Sequence, residues 1–549
     1  MFGIRKETAA TFVALALLAA GCTANPPPAV EGHSGIVQGV VTDASGQPLA
    51  GAFVKLKNDE RRLTFMVVSQ DGGRYAAEKL PPGNYMVQGV GNDFQSAWSA
   101  PINLAEQGSA GVDIILTDAR ASSLPAAWPR RIPEEMATAE LLPEGPGKDI
   151  ITGRCVSCHV ATQIVANRYE PGLWRTSIDE MRSMMRDGGL TDLTDEEAAT
   201  LLDYVTANLP PLPAPDPNSR FPRTLMQGEA RNYRVVQYDF DNAGAEPHDV
   251  AVDPWGVGWA NQRIGGKISR FDPVTYEYSE ISPPLYTAER ARPGNLQIGA
   301  DGIMWLPEPF ETRWLSYDIA NAKWTDWPFP TGKIRGQVQG NSMALHPDGT
   351  IWSSGPGAAR RLNPATGEWG AWDAPTWTKT NVNPGGYGIT VAGDGRVWFA
   401  MNLVDRLARV DGTTGVVDEF AVPVEGVSYP RRMDTDPAGD VWVGLWGAGK
   451  LLKINHKTDE MTVLDPPTPH NGAYAISFDM ANNLLWVTLH KVDMIARYNP
   501  ATGEWLEFPL PQAETDVRRI EVDQNNPNRV WWSSVANNAR IGYLELLEE

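Results

Sequence analysis

Cys155-Val156-Ser157-Cys158-His159 sets two thiols three residues apart, with a histidine directly after the second. Thiols at that spacing can add across the two vinyl groups of a haem, and the adjacent imidazole then reaches the iron from the same turn. The chain has three cysteines, and this pentapeptide holds two of them. A structural zinc would need two further ligands, yet the remaining cysteine is Cys22 and the neighbouring histidines in sequence are His33 and His248. A thioredoxin-like redox pair belongs in a βαβ pattern, which is absent here. The expectation is one haem c attached through Cys155 and Cys158, with His159 on the iron, in a protein that handles electrons.

The elements that must position this motif read as helical over residues 140–210. Trp174, Ile178, Met181 and Met185 recur at i, i+4, i+7 and i+11, one apolar stripe. Thr194-Asp195-Glu196-Glu197 is a capping box that opens a last helix through Tyr204 to Asn208. The order of the C-x-x-C-H, Trp174, Met181, Leu-Thr-Asp-Glu-Glu (193–197) and Leu-Asp-Tyr-Val (202–205) resembles small class I cytochrome c domains attached to periplasmic dehydrogenases. That resemblance implies Met181 as the sixth iron ligand, with Met185 one turn along as the alternative. His/Met ligation would raise the reduction potential and suit an electron acceptor.

The third cysteine speaks to the compartment. Arg5 and Lys6 precede an apolar run from Ala9 to Ala20, and Gly21-Cys22 follows at once. Twelve residues, apolar but for Thr11, are too few to span a bilayer as a helix, so residues 1–22 read as an export signal. Its end resembles a bacterial lipobox, which implies lipidation of Cys22, with 23–34 as a tether. Thr23 stands where an inner-membrane retention aspartate would sit. The expected location is the envelope of a Gram-negative bacterium, facing the periplasm from the outer membrane, with the lipid as the membrane contact.

The formal net charge is -20, which argues against nucleic acid and anionic lipid surfaces and favours a cationic partner such as a basic soluble cytochrome. The chain's 549 residues are too many for one core. Three folded units are expected, mainly β: a small sandwich (35–117), a small helical unit (140–210) and a seven-bladed propeller (231–549). Residues 118–139 and the proline-rich 211–230 read as linkers.

The propeller follows from the tryptophans. Trp259, Trp305, Trp352, Trp398, Trp442, Trp486 and Trp531 recur 44 to 47 residues apart. Each follows an alternating strand and a turn, Asp/Gly as in Asp348-Gly349 and Asp394-Gly395, the signature of a four-stranded blade. The seventh repeat ends one strand short, and Tyr233 to Phe240 resembles the missing strand, so it should close the ring. This wording resembles the streptogramin lyase (virginiamycin B lyase) propeller family, over residues 231–549. The resemblance implies a carbon-oxygen lyase with a histidine base, glutamates and a magnesium ion at the channel mouth. Where those lyases often read Trp-Phe-Thr-Glu, Glu308 alone keeps the glutamate; Gln262, Gly355, Met401, Leu445 and Leu489 stand elsewhere.

Residues 35–117 alternate β segments with tight turns, as in Gly46-Gln47-Pro48 and Pro81-Pro82-Gly83. They resemble the carboxypeptidase regulatory-like domain, a transthyretin-like sandwich that implies no peptidase chemistry. In a propeller, the starts of the innermost strands and the ends of the next strands share one face. That gathers His248, Tyr387, Arg431, Arg432 and Tyr474 from strand starts, Glu308, Met401 and His490 from strand ends, and His470 from a loop. Such a funnel could bind an anion or move a proton. Three function classes follow: a haem-dependent oxidoreductase or electron-transfer component acting on a small-molecule substrate or a redox partner such as a periplasmic dehydrogenase; a lyase; and a binding scaffold. The first accounts for the C-x-x-C-H.

Overall fold

A computed structural model describes residues 32–120, 139–155, 161–187, 191–211, 216–330, 340–380, 383–513, 515–535 and 539–548. Cys22, Cys158 and His159 lie outside the described residues. The chain is mainly β, with an N-terminal sandwich, a helical unit and a propeller.

The tryptophan repeats form seven four-stranded antiparallel blades. Six are built from consecutive strands. The seventh takes Val517–Val522, Arg529–Ser534 and Arg540–Leu546, and Tyr233–Asp239 pairs with the last of these to complete it. The seven tryptophans are at most 6% exposed. Burying about 200 Å² of indole is worth on the order of 4 kcal/mol per blade. The turn and the tryptophan form one device. In blade 1, Asp253 Oδ1 accepts from the backbone N–H groups of Trp255 and Val257, while Oδ2 accepts from Trp259 Nε1 at 2.9 Å. Asp436 does the same for Ala438, Asp440 and Trp442 in blade 5. The turn closes through Gly256 (φ 82°) and Gly439 (φ 90°), a left-handed backbone that glycine adopts without strain.

The sandwich holds β1 (Gly35–Asp43), β2 (Phe53–Asn58), β3 (Leu63–Val68), β4 (Arg74–Leu80) and β5 (Gly83–Gly91) as its longer strands. Tyr75, Ala77 and Leu80 of β4 turn inward with Val37 and Val41 of β1. One expectation changes here. The sandwich is not free-standing: β3 pairs along its outer edge with Tyr233–Asp239, so the closing strand of blade 7 is bonded on both sides. All six residues of β3 are buried. Phe65, Val54 and Tyr85 of the sandwich share one core with Val236, Trp531 and Tyr543 of the propeller. The pairing removes an open edge from each partner.

The proline-rich stretch also differs from a linker. Over its described residues it is a fitted strap. Phe221 stacks on Phe53 at 4.5 Å, and Met226 donates its N–H to Gly51 O at 3.0 Å. Arg120, where the chain leaves the sandwich, donates to four carbonyls: Asn92 (2.6 Å), Pro222 (3.0 Å), Asn218 (2.6 Å) and Phe221 (2.8 Å). Residues 139–209 are therefore an insertion clamped at its neck.

Within that insertion lie α1 (Pro146–Gly153), α2 (Ala161–Ala166), α3 (Pro171–Asp187) and α4 (Asp195–Asn208). Thr194 caps α4 in a complete capping box with Glu197, as its sequence requires. Trp174, Ile178 and Met185 of α3 pack with Ile151, Leu201 and Val205 of α1 and α4, and Cys155 lies against that cluster. Among the described residues, no helix is long and apolar enough to cross a membrane.

Candidate functional site

The strand register defines a ring at the propeller mouth. In each blade the innermost strand pairs one residue with the repeating tryptophan: Ala251, Gln297, Ala344, Thr390, Asp434, Ser477 and Glu521 in order. Three residues earlier stand His248, Gly294 and Asn341 in blades 1 to 3, then Tyr387, Arg431, Tyr474 and Arg518 in blades 4 to 7. Six of these seven line one cavity of about 400 Å³; Gly294 does not. The opposite wall of that cavity is the helical unit, including Cys155, Trp174, Ile178, Met181 and Met185. The helical side is mostly apolar, with Arg154, Asn167 and Ser177 among its lining, and the propeller side is mostly polar, with Leu403 and Trp446 among its lining.

The ring side chains are held by one another and by a layer behind them. Tyr387 and Tyr474 share a short hydrogen bond between their hydroxyls, and Tyr387 Oη lies 3.5 Å from His248 Nε2. His248 Nδ1 donates to Asp249 Oδ1 at 2.8 Å, and Arg432 also donates to that oxygen. With Nδ1 protonated for Asp249, Nε2 is left as an acceptor facing Tyr387. Burial pushes the His248 imidazole down to about 3, outweighing its bond to Asp249, so it is neutral at physiological pH. Burial alone would raise Asp249, but Arg432 and His248 hold its carboxyl well below the usual range. Burial and the neighbouring Tyr387 push the Tyr474 phenol far up, which keeps it a hydrogen-bond donor.

Arg431 is 7% exposed, and its guanidinium packs 4.6, 4.5, 5.1 and 5.3 Å from the ring centres of Tyr387, Tyr429, Trp446 and Tyr474. Each such cation–π contact contributes about 0.5–2 kcal/mol, the more so away from water. Arg518 grips Asp516 through Nε (2.9 Å) and Nη2 (2.8 Å). His490 Nε2 donates to the same carboxylate, because His490 Nδ1 accepts from Trp446 Nε1 at 3.1 Å.

Of the residues expected in the funnel, His248, Tyr387, Arg431 and Tyr474 line the cavity. His490 stands one layer back, stacked on Tyr474 at 4.9 Å, and positions it. Glu308 is a correction: it is fully buried and structural, accepting from the backbone N–H of Arg292 at 2.7 Å and of Glu311 at 2.8 Å. Its carboxyl is raised by burial against those two bonds. His470 is exposed in its loop and does not line the cavity. Met401 is fully buried among packed side chains of the core, and Arg432 sits behind the ring on Asp249. Arg518 and Asp516 were missed. The signal was present as a doublet, Arg431-Arg432 in blade 5 and Arg518-Arg519 at the same register in blade 7.

Residues 283–548 match the virginiamycin B lyase family, and residues 36–117 match the carboxypeptidase regulatory-like domain. A solved streptogramin B lyase is 20% identical, with a TM-score of 0.51, covering 58% of this chain and 100% of that one. This likeness establishes the propeller fold. The virginiamycin B lyase from Staphylococcus aureus is also 20% identical, with a TM-score of 0.49, covering 57% of this chain and 100% of that one. No curated protein matches the chain.

Proposed function

We propose that this chain is an envelope electron-transfer protein, an oxidoreductase or a component of one. Its helical unit carries one haem c, and its propeller holds the substrate or redox partner against it. The observation that supports this is the shared cavity: Cys155, Met181 and Met185 on one wall face His248, Tyr387, Arg431 and Tyr474 on the other. The described residues suit the group. A thiol, two thioethers and an apolar lining of Ile151, Ile164, Trp174 and Leu201 fit a flat, apolar macrocycle. Cys155 and Cys158 would tether it, and His159 and Met181 would ligate its iron, with Met185 as the alternative sixth ligand. When bound, a haem supplies reversible one-electron transfer, and His/Met ligation raises its potential.

The chain's own residues have separate tasks in this reading. The helical wall covers the propeller end of the cavity with a mostly apolar face. His248 offers Nε2 as a proton acceptor, held in that tautomer by Asp249 and Arg432. Tyr387 and Tyr474 form the hydrogen-bonded floor between them. The lipid on Cys22 would keep the chain at the outer membrane, facing the periplasm, and the net charge of -20 would steer a basic cytochrome or a dehydrogenase toward it.

The second reading is a lyase, favoured by the propeller's likeness to streptogramin lyases. His248 could then serve as the base of an elimination. The magnesium and glutamates of that family find less support, since Glu308 is committed to backbone N–H groups and, among the described residues, no three His, Cys, Asp or Glu side chains gather as a metal site. A non-catalytic scaffold for a redox partner is the third.

Anaerobic titration of the exported, purified protein with periplasmic dehydrogenases and small-molecule donors tests the proposal. Reduction of the ferric haem, lost in Cys155→Ser/Cys158→Ser, is the expected result. A haem-free variant that still cleaves a streptogramin at full rate with magnesium would overturn it in favour of the lyase. Tight capture of a dehydrogenase without electron transfer would leave the scaffold.

A further inference from the structure

The chain is strongly acidic, yet the wall of the cavity is not. Arg263, Arg431 and Arg518 line its propeller side and Arg154 its helical side, with one lining carboxylate, Glu246; Arg154 is paired with Glu197 and Arg518 with Asp516. The nearby carboxylates Asp249 and Asp516 are held behind the ring. A cationic cavity in a protein of net charge -20 concentrates anions.

The ring register sharpens this. Blades 5, 6 and 7 contribute Arg431, Tyr474 and Arg518 in succession, a guanidinium, a phenol and a guanidinium along one arc. The aromatic faces around Arg431 and the two bonds from Arg518 to Asp516 hold both guanidinium groups in place before any ligand arrives. Across the mouth, blade 3 presents the uncharged Asn341, and Gly294 of blade 2 adds no side chain to the cavity. Trp446 and Leu403 add apolar surface to the same cavity.

We propose that the propeller end of the cavity binds a small organic carboxylate. Its anionic head lies along the Arg431–Tyr474–Arg518 arc, and its apolar body lies toward Trp446 and Leu403. This rests on the reading of the ring as a ligand site, and it holds with or without haem in the helical unit. A planar carboxylate matches the planar guanidinium groups. A phosphate would bring a second charge and no apolar body to meet the indole.

Calorimetric titration of the full chain with sodium benzoate, benzamide and sodium phosphate tests it, with covalent haem content measured on the same samples as a separate check on the helical unit. Benzoate should bind saturably, and benzamide, of the same shape without the charge, about tenfold or more weaker. Arg518→Gln and Arg431→Gln should each weaken benzoate about tenfold, and Arg518→Lys should recover part of the loss. The benzoate-to-benzamide ratio in the native protein needs no variant, so it stands even where Arg431→Gln fails to fold. Equal binding of benzamide, benzoate binding unchanged in both arginine variants, preference for phosphate, or no saturable binding at millimolar benzoate would each overturn the proposal. So would a lowered haem potential in the arginine variants without any benzoate binding, which would assign the arginines to the haem's own propionates.

Discussion

Tyr387 of blade 4 and Tyr474 of blade 6 join hydroxyls across the mouth of the propeller, over the guanidinium of Arg431 from the blade between them. From Tyr387 the hydrogen bonds continue to His248, Asp249 and Arg432. Side chains from blades 1, 4, 5 and 6 are thus one unit, facing a cavity whose far wall holds Cys155 and Met181.

The helical wall makes a spectroscopic prediction. The exported protein should carry one haem per chain, retained after acid-acetone extraction. Met181→Ala should abolish the weak near-infrared sulfur-to-iron band and lower the potential, while Met185→Ala should keep both. The reverse pattern would make Met185 the ligand.

His248 makes a pH prediction. Its imidazole titrates at about 3 in the folded chain and at the ordinary 6.5 when unfolded. Between those values the unfolded state binds the extra proton, so stability is fully present above 6.5 and is lost as pH falls. The loss should reach about 2 kcal/mol by pH 5. Burial pushes the Glu521 and Asp434 carboxyls up to about 7 and about 6, which stabilises the folded chain over the same interval. The His248 contribution is therefore read by urea unfolding at pH 7 and pH 5, as a change in stability that differs by about 2 kcal/mol between the native chain and His248→Gln. An equal change in the two proteins would assign the acid sensitivity to other groups.

Arg120 makes a stability prediction. Arg120→Ala removes a donor from four buried or half-buried carbonyls, of which Asn218 keeps the Phe221 N–H, and should cost about 3 kcal/mol. Arg120→Lys should recover less than half, because one ammonium cannot serve four carbonyls in a fork geometry. The urea midpoints of the three proteins measure this.

Cys22 makes a location prediction. Cys22→Ser should release the protein from membranes into the soluble periplasmic fraction. Persistent membrane attachment of that variant would point to another anchor.

The sequence by itself determined the blades, because a buried tryptophan strand and an Asp-led turn before it are local requirements that every repeat meets again, with glycine in the turns of blades 1 to 5 and asparagine in those of blades 6 and 7. It also determined that Tyr233–Asp239 closes the ring, since the last repeat lacks a strand and an open edge must find one. The capping box at Thr194 and the stripe from Trp174 to Met185 were legible for the same local reason. Only the tertiary structure decided the rest. His248, Tyr387, Arg431 and Tyr474 were legible from their places at strand starts, but Asn341 and Arg518 of the same ring were not, because the position holds different residue types in different blades and no periodicity of residue type marks it. Glu308 kept a family motif, but backbone N–H groups consume both of its oxygens. The pairing of β3 with Tyr233–Asp239 joins strands of unrelated units, and such edge pairing depends on which edges meet in space rather than on any pattern along the chain. The cavity itself is made where the clamped helical insertion faces the propeller mouth, a contact between surfaces far apart in sequence that neither encodes alone.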